Sequence, residues 1–358
     1  MNKSLLPLAM AVMTFTACTS EYVVDVSQTQ SNIIGFDNVV NKSSRAVDGD
    51  LNNTSFDHFM VYGYYTKPNL TTPVQIFNGV DVNRKVVNGI TSWGYDGVRY
   101  WVPGCSYFFY AYSCADIAIS SVYGSPTFSL FDANNTSIDS RALLIQRYTC
   151  DQTHQHDLVY AENENILATE KGNPDVSLSF SHALCKIKAV FTTDFPDGYK
   201  VYVSNVYVSD FYNRADFNVG TGAWSNYTGE DNGSQQIILT VPTNSFVENK
   251  AGSKVATTEA FVIPKLYDSQ GNTDNVRLHF SIKVESTKSG ETILERDIVG
   301  TWSPQWEKSR IYTYNINITG SSTGIQPIVF SAVQDLSGSS SWDDSTSLNM
   351  VFGVDTKH

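Results

Sequence analysis

At 358 residues the chain is long enough for two ordinary domains, and its net charge of −12 argues against nucleic acid. Affinity for phosphates rests on Lys and Arg, and no basic cluster interrupts the acidic balance. Only 17% of residues are charged while 13% are aromatic, a balance that suits half-buried strands, on whose pleated surface flat rings pack well.

The chain opens on Lys3 and runs from Leu5 to Phe15 without a charge. That run is too short to span a bilayer as a helix, which takes about 20 apolar residues. A basic start, a short apolar core and a small-residue ending describe a secretory signal. The ending here is Phe15-Thr16-Ala17-Cys18, which looks like a bacterial lipobox. Residues 1–17 are therefore expected to be removed and Cys18 to carry the lipid. Each buried methylene adds about 0.8 kcal/mol, so two or more acyl chains make a stable anchor. The following "TSEYVVD" resembles the surface-export signals of Bacteroidetes lipoproteins, a resemblance that implies a place on the outer face of the outer membrane.

Next comes "IIGFDNVV", in which Ile34, Phe36 and Val40 share one face of an extended strand and Asn38 is the exception. The polar stretch "NKSSRAVDGD" follows, with Arg45-Ala46 in an accessible setting for proteolysis. "FMVYGYY", "YWVPGCSYFFYAY" and "ALLIQRY" read as strands bounded by Gly, Pro, Asn and Asp turns. "VYAENENILATEKGNPD" is polar and closes on Gly172-Asn173-Pro174, so a domain boundary is expected near residue 172. Beyond it, "VSLSFSH" turns Val176, Leu178 and Phe180 to one face, and "CKIKAVF" does so with Cys185, Ile187, Ala189 and Phe191. "VRLHFSIKV" is the cleanest alternation, with Val276, Leu278, Phe280, Ile282 and Val284 inward. "IYTYNINI" repeats it with Tyr312, Tyr314, Ile316 and Ile318. Many short strands and no long amphipathic helix point to β-sandwiches.

The tail has its own character. "GSSTG" and "SGSSSWDDSTS" read as flexible spacers, Asp343-Asp344 included, around "IVFSAV" and "LNMVFGVD". In the latter, Leu348, Met350, Phe352 and Val354 alternate with Asn349, Val351, Gly353 and Asp355. Burying four such side chains contributes about 1.5–3 kcal/mol each, offset in part by ordering costs of about 1–2 kcal/mol per residue.

Chemistry-bearing residues are sparse. Cys105, Cys114, Cys150 and Cys185 have irregular spacing, which fits bridges or buried small hydrophobes equally. Cys150, His154 and His156 in "CDQTHQHD" form the nearest thing to a metal motif, without a supporting fourth ligand, so no metal or other cofactor is expected. His182 shares a face with Phe180 and Leu178 and is expected to be a hydrogen-bonded structural histidine. No Gly-x-Ser-x-Gly elbow or phosphate-binding glycine loop occurs, so no residue is assigned a catalytic role.

A series of short segments together resembles the fimbrillins of Bacteroidetes. They are the lipobox at Cys18, "IGF" followed by "SRA" around Arg45, "WGYDGVRYWVPGCSYFFYAY", "DLVYA", "FSHALCKIKAVF", "VSNVYVSDFYNRADFNVGTGAW", "AFVIPK" and "TWSPQWEKSRIYTYNINI". Two positions depart from the family pattern: Lys265 stands where it has Gln, and Gln305 where it has Gly.

The resemblance implies an all-β fold of two tandem transthyretin-like β-sandwich domains, at 46–172 and 173–320, after a leader at 18–45 and before a tail at 321–358. It implies a pilus subunit whose own N-terminal strand (Ile34, Phe36, Val40) fills a groove until an arginine-specific protease cuts between Arg45 and Ala46. A neighbour's strand then replaces it, here Leu348, Met350, Phe352 and Val354, unless the tail docks on its own domain. Expected partners are other fimbrial subunits, the membrane lipid through Cys18, and a host or bacterial surface ligand. The rival reading is a non-polymerising surface lipoprotein that binds glycan or protein through Trp93, Tyr95, Trp224 and Tyr227.

Overall fold

A computed structural model of the chain describes residues 32–40, 56–68, 73–88, 90–114, 127–129, 143–229, 235–267, 276–319 and 343–344. Every regular element among them is a β-strand, as the alternation predicts.

The first part contributes β1 (Phe36–Val40), β2 (His58–Thr66), β3 (Val74–Val87), β4 (Ile90–Tyr95), β5 (Ser106–Ser113), β6 (Thr127–Ser129), β7 (Leu144–Thr149), β8 (Val159–Leu167) and β9 (Val176–His182). Seven of them form one sheet in the order β1-β9-β8-β5-β2-β3-β4. β5 shows why this sheet is buried on both faces. Its Tyr107, Phe109 and Ala111 join one core with Phe59, Val61 and Phe77, while Tyr110 and Tyr112 join another with Tyr62 and Tyr64. A strand covered on both sides reads as an unbroken apolar run, which "YFFYAY" is. The strand begins at Ser106 and not at Tyr100, because Pro103 and Gly104 (φ 76°) turn the chain just before it. Between β3 and β4, Val87 and Ile90 pair directly, and Asn88 takes the left-handed φ of 52° that a two-residue hairpin loop demands.

The second part contributes β10 (Cys185–Thr193), β11 (Tyr199–Ser209), β12 (Arg214–Asn218), β13 (Ala223–Thr228), β14 (Gln236–Ile238), β15 (Phe246–Val247), β16 (Val255–Ala256), β17 (Ala260–Val262), β18 (Val276–Ser286), β19 (Thr292–Trp302), β20 (Arg310–Ile318) and β21 (Asp343–Asp344). One layer of its sandwich runs β16-β10-β20-β21, with β17 also on β10; the other runs β14-β11-β18-β19, with β15 on β11. The inward residues read from the sequence of β10, β18 and β20 are all buried between these layers. Phe191 meets Phe280 edge-on at 5.2 Å, and Trp302 meets Tyr314 at 5.2 Å. Trp306 Nε1 donates to the Tyr314 hydroxyl at 2.8 Å in the same dry core, and burial pushes that hydroxyl's pKa up. Tyr314→Phe is expected to leave the indole N–H without this acceptor and to cost about 1–3 kcal/mol in denaturant unfolding.

Two sets of pairings cross the boundary expected near residue 172. β9 lies beyond it yet joins the first sheet through β8 and β1. β12 pairs with β7, producing a four-stranded sheet β13-β12-β7-β6 drawn from both parts. Its Ile145, Tyr148 and Phe217 pack in one cluster with the tyrosine face of the first sheet, which would otherwise be left in water, and Phe261 and Ile263 complete it. Gln155 fastens the junction by accepting from Phe261 N at 2.7 Å and donating to its carbonyl at 3.1 Å. Asp343–Asp344, read as spacer, instead forms β21, parallel to the start of β20.

Candidate functional site

Ile34 and Phe36 are buried in the first core, so the N-terminal strand is part of the folded sandwich. β1 adds to the sheet alongside β9 in parallel register, from Phe36 opposite Val176 to Val40 opposite Phe180. On its other side the chain just before β1 meets residues 99–101. Ile34 N donates to Arg99 O at 2.9 Å, Trp101 N to Asn32 O at 2.8 Å, and Ile33 bridges Tyr100. The segment therefore occupies a slot with a ladder on one edge and a bracket on the other. Backbone groups in such a slot are obligatory donors and acceptors, so whatever sits there must be extended chain.

The floor of the slot is aromatic. Phe36 meets Phe59, Phe77, Tyr95 and Phe109 edge-to-face, with ring centroids 6.1, 5.3, 5.8 and 5.8 Å away. Such pairs add about 0.5–1.5 kcal/mol each beyond the area they bury. Tyr95 also donates its hydroxyl to Ile34 O at 2.6 Å. Burial pushes the Tyr95 hydroxyl up, against the opposing pull of Arg99. The Arg99 guanidinium lies 4.6 Å from the Phe77 ring and 5.3 Å from Tyr95, while its Nε donates to Ile76 O at 2.7 Å. It lids the cluster from the solvent side.

Gly35 sets a narrower condition. Its carbonyl accepts from Val176 N at 2.8 Å, and a Cβ built at this position would displace the carboxylate of exposed Asp175, the end of a side chain free to turn aside. Partial burial, and then the charge of Asp37, hold the Asp175 carboxyl above its usual range. A raised folded pKa means that its contribution is full below the unfolded value, about pH 3.9, and is lost as pH rises through the folded value. Neutral pH therefore works against the seated leader. Asp175→Asn is expected to raise the melting temperature at neutral pH and to flatten its pH dependence just above pH 4, read by thermal melts of the uncut chain.

The other sequence candidates resolve as follows. Cys18, Arg45, Ala46, Leu348, Met350, Phe352 and Val354 lie outside the described residues; Val40 is described as backbone in β1. The Cys150 thiol is buried and points to Phe261 O at 3.3 Å, whereas His154 turns to Asp151 at 2.7 Å, so they do not converge on a common ligand position. Cys105, Cys114, Cys150 and Cys185 are all free and buried, and burial pushes the last three thiols up. His182 Nδ1 sits 2.8 Å from buried Asp157, a structural pair. The four aromatics of the rival reading are half-buried and engaged. Trp93 packs on Phe56 and Phe59, Tyr95 serves the slot, Trp224 Nε1 donates to Ala183 O, and Tyr227 donates to Pro264 O.

The sequence matches the fimbrillin-like family over residues 44–333. The chain belongs to the fimbrillin-like family. The leader strand stands just ahead of the matched span. Solved structures with a similar chain trace include a candidate cell adhesion protein of Bacteroides uniformis, with 16% identity, TM-score 0.39, and coverage of 82% of this chain and 94% of that one. A candidate cell adhesion protein of Bacteroides ovatus gives 14%, 0.41, 90% and 98%. The fimbrial anchor protein Mfa2 of Porphyromonas gingivalis gives 10%, 0.28, 73% and 82%. No curated relative matches.

In this fimbrillin-like chain the two departures from the family pattern lie side by side. Leu266 bridges Gln305, whose amide donates to Tyr267 O at 2.6 Å, and the Lys265 ammonium sits 3.8 Å from the Tyr212 ring, beside Tyr227 and Tyr267. Arg99, Trp101 and Asp175 are the site residues that sequence reading missed. The one signal was the glycine between two apolar residues in "IGF".

Proposed function

We propose that the protein is a structural subunit of surface fimbriae, made as a lipoprotein precursor, cut after Arg45 and polymerised by strand exchange at the β1 slot. One observation carries the reading: β1 fills a place in the first core with Ile34 and Phe36, yet hangs on a polar segment containing Arg45. Cutting there frees a strand held only by non-covalent contacts. Its loss would bare Phe59, Phe77, Phe109 and Val176, none now more than 2% exposed. An unpaired sheet edge above such a floor recruits another strand. Fimbrillin-like family membership supports the same role, with lipid at Cys18 holding the precursor at the outer membrane and adhesion as the work of the finished fibre.

Arg45→Ala is expected to keep residues 18–45 attached and to abolish fibres in electron micrographs of cells expressing the protein. Normal fibres from this variant would overturn the processing step. A wild-type chain that is cut and stays monomeric would favour the non-polymerising lipoprotein.

A further inference from the structure

We infer that the outward face of the second sandwich carries a binding groove for a neutral glycan, with the stacked Tyr207–His279 pair as its platform. The inference gives the adhesive role proposed above a site and a ligand class, and it rests on that reading for its purpose.

The groove follows from one extra residue. Between the pairs Ser204–Ser281 and Tyr207–His279, β11 has two residues where β18 has one. Asn205 takes a left-handed φ of 51° at this bulge, and Val206 turns into the core. A bulge bends its strand and re-aims the side chains beside it. The result is a half-open groove of about 530 Å³ that crosses β14, β11, β18 and β19. Small-molecule sites span about 300–1,000 Å³, so a short saccharide segment fits. Trp93, Tyr95, Trp224 and Tyr227 take no part in its lining.

A largely apolar row crosses the groove. Ile238, Tyr207, His279 and Val299 are successive register partners on the four strands. The Tyr207 and His279 rings lie parallel at 4.3 Å, and neither has another ring partner among the described residues. Ser209 Oγ, 2.9 Å from His279 Nε2, holds the imidazole in this plane. Partial burial lowers the His279 pKa, against the pull of Asp210 and with the push of Arg277, so the ring is uncharged at neutral pH. Ile238 is 52% exposed, which leaves the β14 end of the row open.

A polar row lies beside it. Asn205 Nδ2 donates to Ser281 Oγ at 3.1 Å, and that hydroxyl donates to Asp297 Oδ1 at 2.6 Å. The relay leaves the Asn205 side-chain carbonyl and the second Asp297 oxygen for a ligand. The Gln236 amide and the Tyr207 hydroxyl have no side-chain bond among the described residues. A sugar ring matches both rows. Its C–H face packs on a flat ring, while its hydroxyls donate and accept, as amide and hydroxyl side chains do.

Charge narrows the class. The groove holds the Asp297 carboxylate and no Lys or Arg among its lining residues. On the adjacent outward positions of β18 the cations are already taken, Arg277 by Asp210 at 3.4 Å and Lys283 by Glu285 at 2.7 Å. A sialylated or sulfated glycan would therefore meet a like charge with nothing to offset it. The groove also lies on the face of the sheet, away from the ladder groups that an added peptide strand needs.

The test uses the uncut precursor, labelled and applied to an array of neutral oligosaccharides of hexose and N-acetylhexosamine with their sialylated and sulfated counterparts. Neutral glycans should bind about tenfold more strongly than their charged counterparts. Tyr207→Ala should lower that binding about tenfold or more, the scale of a central aromatic contact. Asp297→Asn keeps the shape of the groove and should erase most of the preference for neutral glycans. Thr301→Ala, on the same sheet face outside the groove, should bind as the wild type does. No bound glycan, binding that survives Tyr207→Ala, or a preference untouched by Asp297→Asn overturns the site. Each of these leaves the fimbrial reading standing, because the precursor is measured before any cut. A cut chain that fails to polymerise overturns that reading and leaves the groove.

Discussion

Phe36→Ala is expected to destabilise the uncut precursor by about 3–5 kcal/mol, the range for emptying a fully packed phenylalanine site. The ring is 3% exposed and touches four other rings edge-on, so its loss leaves a cavity that the rigid strands around it cannot close. Urea unfolding of the full chain measures the loss. The variant has an internal control: once residues 1–45 have been cut away and removed, mutant and wild type are the same molecule and should unfold identically. A difference of under about 1 kcal/mol in the precursor would mean that the leader is only loosely seated, since truncating a buried aromatic costs several times that.

Deleting Leu348–Val354 should have the largest effect on assembly, the loss of all fibres. Among the described residues, the strands of both sandwich layers of the second part end at Ile318 apart from β21 at Asp343–Asp344, and the deletion removes none of them. Its melting temperature should therefore match that of the wild-type precursor. The truncated subunit still carries a slot, so mixed into cut wild-type protein it should accept a strand, offer none, and shorten the fibres in proportion to its share. Fibres of normal length from the deletion variant alone would assign the donor strand to another segment.

Most of the fold was legible because alternation of period two survives wherever a strand has one wet face. Val276 to Val284 and Tyr312 to Ile318 have such faces, and their inward sets are those read from the sequence. The domain boundary was less legible. Tyr62, Tyr64, Tyr110 and Tyr112 give their sheet a second buried face, and periodicity does not say which later strands cover it. Lys186 shows a related limit: a residue on the nominally polar face of β10 is 2% exposed, beside Glu259 and over the Phe261 ring. At the slot, Ile34 and Phe36 could be read as one apolar face. The bracket at 99–101, the lid of Arg99 and the carboxylate of Asp175 are contacts between segments far apart in the chain, and no local pattern announces them. The rival reading rests on aromatics picked out by residue type, and type does not say whether a ring faces solvent or its own core.

Cutting after Arg45 is proposed to open a place in one molecule that a different molecule fills. Sedimentation velocity of the full chain before and after the cut, with the fate of residues 1–45 followed in the same sample, tests it most directly. The expected result is a monomer beforehand and, afterwards, growing polymers from which the 1–45 fragment has departed. A cut chain that sediments as a monomer at high concentration, with the fragment still bound or with its own residues 348–354 protected in the slot, would contradict it.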